Sequence, residues 1–151
     1  MDVRLTNAEC RQAAYVGINR RLDAMKREST EVYGSAHNGD YWTVDVEAAA
    51  AELAAAKALG RYWSPADDPS EDREGDLGDG LQVRHTKRAN GCLICHQRDA
   101  DEHRFFLVVG SMPAFRVVGH ILGRDAKKPE WWRTDVHRPA FFVPQYALTA
   151  L

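Results

Sequence analysis

Residues 76–96 read DLGDGLQVRHTKRANGCLICH, and their reading decides the fold. LQVRHT (81–86) alternates apolar and polar residues, the period of a half-buried strand. Leu81 and Val83 then face the core, while Gln82 and Arg84 share the opposite face. CLIC (92–95) is continuously apolar and reads as a second strand. The turn-rich TKRANG between them predicts a hairpin. Ahead of LQVRHT, the Gly-rich DLGDG reads as loop.

CLICH also has the form C-x-x-C-H, which attaches a c-type haem or opens a zinc site. Haem needs thioether bonds to Cys92 and Cys95, axial ligation by His96, and export. The N-terminus MDVRLTNAECRQ has no apolar signal core. Zinc needs two further ligands, and His85, His96, His103 and Cys10 are the nearest by type. None has the spacing of a second C-x-x-C. A buried strand, in which reduced Cys packs as a small hydrophobe, asks least of this stretch. His120, in VVGHI, is read in the same way as a packed strand residue.

Downstream, FFLVVG (105–110) and FRVVGHIL (115–122) predict two more strands, separated by GSMPA. DAKKPEWWRTDVHRP (125–139) is irregular or holds a short helix. PAFFVPQYAL (139–148) offers a last strand that Pro144 ends or pushes to an edge. Upstream, Thr6-Asn7-Ala8-Glu9 has the form of a capping box. Cys10, Ala14, Ile18, Leu22 and Met25 follow at helical spacing, predicting an amphipathic helix over 7–28. Residues 30–44 lack a period and read as loop. Asp45 can cap a second, Ala-rich helix that runs through VEAAAAELAAAKALG and stops at Gly60. SPADDPSEDREGDLGDG (64–80) holds seven acidic residues and reads as loop.

This order predicts one α/β (α+β) domain over 1–151, with an N-terminal helix and loop over 1–44 and a core over 45–151. Two N-terminal helices pack on a mixed, largely antiparallel sheet of about five strands. The chain of 151 residues, 44% hydrophobic and 28% charged, suits a single soluble domain. It has no run of about 18 apolar residues, so no membrane partner is expected. Three cysteines without framework spacing fit the cytoplasm. The net charge of −2 is uneven. Residues 1–80 carry 9 basic against 16 acidic residues, a balance of −7, and residues 81–151 carry 11 against 6, a balance of +5. A basic half attracts phosphates, and an acidic cluster holds cations.

Glu52 lies in an apolar helical line with Ala48, Ala55, Ala56 and Leu59. A carboxylate there is either exposed on an Ala-rich face or paired, to a cation or to a metal. The helix AAAAE with Glu52, the loop GDLGDG and the strand Gln82-Val83-Arg84 together resemble the PD-(D/E)XK phosphodiesterase superfamily. The longer stretch 45–151 is similar to small phage and prophage proteins of uncharacterised activity. The first resemblance implies a restriction-endonuclease-like core and a Mg²⁺- or Mn²⁺-dependent nuclease acting on DNA in a bacterial host cytoplasm. Glu52 and Asp76, with Asp79 as the alternative Asp, would hold the metal, and Gln82 would complete its shell. Arg84, in the place of the usual Lys, stays protonated and would stabilise charge on the phosphate. Gln82 replaces an acidic residue, as in restriction enzymes of the Mrr type, and weakens the site. Lys87, Arg88, Arg124, Lys127 and Lys128, with Arg133 near Trp131 and Trp132, would contact DNA. Two alternatives stand beside this one. The first is a weakened nuclease-fold module that binds nucleic acid or a host protein, with a homodimer as a further partner. The second is a zinc protein built on Cys92 and Cys95.

Overall fold

The computed structural model describes residues 1–26, 40–64 and 75–151. Strand β1 (Asp2–Arg4) precedes helix α1 (Asn7–Lys26), and helix α2 (Tyr41–Ala58) follows. Then come β2 (Leu81–Thr86), β3 (Leu93–Cys95), β4 (Arg104–Ser111) and β5 (Ala114–Leu122). A single turn, α3 (Gly123–Ala126), leads to β6 (Trp132–Arg133) and β7 (Ala140–Val143). The fold is α+β with two sheets.

α1 starts as its capping box predicts. Glu9 N–H donates to Thr6 Oγ1 (3.2 Å) and Thr6 N–H to Glu9 Oε2 (2.6 Å). Its stripe does not face inward, however. Ile18, Leu22 and Met25 are exposed, and α1 buries Ala13, Val16 and Gly17 instead. The reason is close packing. A Cβ on Gly17 would lie 2.5 Å from Val46 Cα, so the two helix backbones meet where only glycine fits. α2 begins one turn earlier than Asp45 suggests. Asp40 is the cap, its Oδ1 accepting from Thr43 N–H at 3.1 Å, and Asp45 turns to Arg21 at 3.5 Å. Gly60, with φ +63°, closes the helix as expected. Residues 27–28 of the first predicted helix, 30–39 of the first loop and 65–74 of the second lie outside the described residues.

The first sheet has the order β1-β5-β4-β2. β1–β5 and β4–β5 are antiparallel, and β2 runs parallel to β4 with Leu81 opposite Arg104. β3 is not the hairpin partner of β2. It joins a second sheet, β3-β7-β6, where Leu93–Cys95 pairs antiparallel with Phe141–Val143. Continuous apolarity reports that both faces of a strand are buried, not which strand it pairs with. The sheet of about five strands is therefore two sheets.

Alternation along β2 and β4 separates two cores. Val83, Phe106, Val108, Phe115 and Val117 pack under α1 and α2. Phe105, Leu107, Val109, Leu93, Cys95 and Val143 fill the space between the sheets. Among the described residues no helix is long and apolar enough to cross a membrane.

Candidate functional site

Glu52 sits on the inner face of α2, only 7% exposed. Both its carboxylate oxygens are engaged. Arg20 Nη1 donates to Oε1 at 2.7 Å and Arg20 Nη2 to Oε2 at 2.9 Å, a parallel two-bond fork. Trp63 Nε1–H donates to Oε2 at 3.2 Å. Burial pulls the Arg20 guanidinium toward neutrality, but Glu52 outweighs it and raises the arginine above its ordinary value. Neither Arg20 nor Trp63 is a sequence-predicted site residue. A signal for Arg20 was present: Ala13, Val16, Gly17 and Arg20 share one helical line, the line that is buried. Trp63 follows the helix-ending Gly60 and carries no comparable signal.

Asp76 reaches the same cluster from the loop before β2. Its Oδ2 accepts from Val83 N–H at 2.6 Å. Burial, then the Glu52 charge, push its carboxyl up to about 6; the Val83 bond, Arg84 and Arg20 oppose this. Asp79 does not join it. It takes a left-handed φ of 53° and pairs with Arg61 at 2.7 Å on the surface.

Gln82 and Arg84 are on the other side of the sheet. Their partners in β4 are Phe105 and Leu107, which face the second core, whereas Val83 and His85 lie opposite Phe106 and Val108. Gln82 Nε2 meets His103 Nδ1 at 3.4 Å. Arg84 donates to Ile94 carbonyl (3.1 Å) and Asp99 Oδ2 (3.0 Å) and lies over the Phe105 ring. The expected quartet of Glu52, Asp76, Gln82 and Arg84 is thus split. The sheet brings the first two together and separates them from the last two, because side chains one residue apart in a strand point to opposite faces.

These donor atoms do not fit a divalent cation. A hard cation needs free oxygen ligands, and Glu52 gives both oxygens to Arg20. Asp76 gives Oδ2 to Val83, while Gln82 points away. Among the described residues no three His, Cys, Asp or Glu side chains are grouped to hold a metal. For the cysteines, Cys95 is fully buried, and burial pushes its thiol up to about 12.

Beside Glu52, a cleft of about 610 Å³ opens between α2 and the end of β2. Glu47, Glu52, Val83, His85, Lys87 and Arg88 are among its walls. Glu47 Oε2 accepts from Met112 N–H (3.0 Å), and its Oε1 is 3.8 Å from Lys87 Nζ. His85 Nε2–H donates to Gly110 carbonyl (2.9 Å), and burial lowers the imidazole below its ordinary value. Lys87 and Arg88 are exposed at the rim. The other predicted basic residues are elsewhere, on the second-core side. Lys127 Nζ donates to Asp99 carbonyl and Asp101, Lys128 stands over Trp131 (4.9 Å), and Arg124 N–H donates to Asp101 carbonyl. Compared with family models, with curated proteins and with solved structures, the chain matches none.

Proposed function

We propose that this chain is a binding module on a restriction-endonuclease-like core, whose ligand, a nucleic acid or a partner protein, seats in the cleft between α2 and β2. The observation that carries this reading is the Arg20 fork on Glu52. Where the family resemblance implies a metal, a guanidinium supplies the positive charge through two bonds shorter than 3 Å. The two carboxylates that the resemblance implies, Glu52 and Asp76, lie close enough to repel each other, which supports the nuclease-like core. Hydrolysis has less support than binding, since Arg20 takes up both Glu52 oxygens and Arg84 lies on the other face of the sheet. The phage and prophage resemblance supports a ligand met in a bacterial host.

The test is a cleavage assay with linear, circular and single-stranded DNA in Mg²⁺ and in Mn²⁺, run beside Glu52→Ala and Asp76→Ala. No cleavage is expected with any substrate. Cleavage that both substitutions abolish would replace the binding reading with a metal-dependent nuclease.

A further inference from the structure

Among the described residues β2 is an edge strand, paired on one side only, with β4. In the parallel register of Leu81 with Arg104, the bond from Arg104 N–H to Gly80 carbonyl fixes the direction of every other group. The N–H and C=O of Leu81, Val83 and His85 point outward. An outward row of this kind templates another strand unless it is blocked. The first two positions are blocked. Leu81 N–H donates to Gly78 carbonyl, and Leu81 carbonyl accepts from Leu77 N–H. Val83 N–H is capped by Asp76, and Val83 carbonyl by Arg84 Nη1 at 3.3 Å. The guard ends there. Among the described residues nothing bonds to the outward N–H and C=O of His85. That opening borders the cleft, and Lys87 and Arg88 follow directly at the rim.

We propose that the open edge at His85 takes an extended, acidic peptide segment of a partner protein as an added strand. This rests on the binding reading above and names its ligand. Main-chain groups of the segment bond to His85 N–H and C=O, as in strand addition. Alternate side chains on one face of the segment then enter the cleft beside Ala48 and Val83. An acidic side chain at its end meets Lys87 and Arg88. A nucleic acid satisfies the two basic residues but offers no alternating amide donor and carbonyl acceptor to the edge.

The experiment uses the full chain and a displayed library of random dodecapeptides. Enriched peptides are resynthesised and their affinities measured by fluorescence anisotropy for wild type, His85→Ala and His85→Pro. Both variants lose the imidazole contact with Gly110, but only proline removes the outward N–H, which β4 does not use. Enriched peptides are expected to carry acidic residues and to bind His85→Pro about tenfold or more weakly than His85→Ala. Methylating the peptide amides one at a time gives a second measurement that does not depend on how His85→Pro folds. A loss is expected at one amide only, the one whose N–H meets the His85 carbonyl. No enrichment, equal affinities for a folded His85→Pro and His85→Ala, or tolerance of every methyl group would overturn the proposal. Oligothymidylate is run in parallel. If it binds and no peptide does, strand addition fails while the binding reading survives. DNA cleavage that needs Glu52 and Asp76 would instead end the binding reading itself.

Discussion

At Glu52, electrostatics decides more than helix propensity does. A carboxylate this buried costs several kcal/mol unless it is matched, and Arg20 matches it from another helix. Arg20→Ala is therefore expected to destabilise the fold by roughly 3–5 kcal/mol, read as a lower midpoint in urea unfolding. The double substitution Arg20→Met with Glu52→Leu should cost less than either partner removed alone, because it leaves no buried charge behind. Asp76 gives a prediction of opposite sense in pH. Its folded value, about 6, is above the ordinary 3.8, so the folded state holds the proton more tightly than the unfolded chain. That contribution is fully present below the unfolded value and is lost as pH rises through about 6. Asp76→Asn should accordingly be more stable than wild type near pH 7.5, and the advantage should vanish by about pH 4. Urea titrations of both proteins across that window check it. An advantage that grows on acidification would contradict the assignment.

Among the elements, the helix pair and the strands differ in how far local sequence specifies them. The capping box, the Ala-rich run and Gly60 place α1 and α2 because helix ends and propensities are local. The LQVRHT alternation places β2 and the faces of Gln82 and Arg84 for the same reason. The inward face of α1 was not legible from the strongest apolar stripe. Gly17 lies against the Val46 backbone near the start of α2, and a glycine there lets the helices approach more closely than Ile18 or Leu22 would. Strand partnership was not legible either. CLIC, as β3, pairs with β7 about fifty residues later, and β1 is too short to carry a period. Of the candidate site, the grouping of Glu52 with Asp76 was implied by the family resemblance alone, since no local pattern joins a helix residue to a loop residue more than twenty positions on. The Arg20 fork that occupies Glu52 was legible only in part: Arg20 lies on a small-residue line of α1, but no local pattern joins that line to α2. Gly17→Ala tests the helix approach. Its Cβ would press on Val46 backbone, so a loss of roughly 1–3 kcal/mol is expected, measured as a lower thermal midpoint. A helix interior with open space would instead gain from the glycine-to-alanine change.

For the molecule as a whole, the first sheet is a partition. One side carries the helices, the Arg20–Glu52–Asp76 cluster and the cleft rimmed by Lys87 and Arg88. The other carries Arg84, Asp99 and Lys127, which tie β2 to the second sheet and to the loop before β4. The two sets of basic residues should then differ in what they do. Reversing charge at Lys87 and Arg88 together should weaken binding of a cleft ligand about tenfold or more. Reversal at Arg124 and Lys128, both exposed, should leave that affinity within about twofold, the change a remote exposed charge makes. Arg84→Ala separates the readings most sharply. It removes hydrogen bonds to Ile94 and Asp99 and so should cost roughly 1–3 kcal/mol of stability. It also uncaps the outward Val83 carbonyl at the β2 edge, so the cleft ligand should bind at least as tightly as in wild type. A nuclease built on Gln82 and Arg84 demands the reverse, with substrate handling lost first. Measuring unfolding free energy and ligand affinity on the same Arg84→Ala preparation distinguishes the two. If affinity falls with stability unchanged, the functional face of the sheet is the one carrying Gln82 and Arg84, not the one under α2.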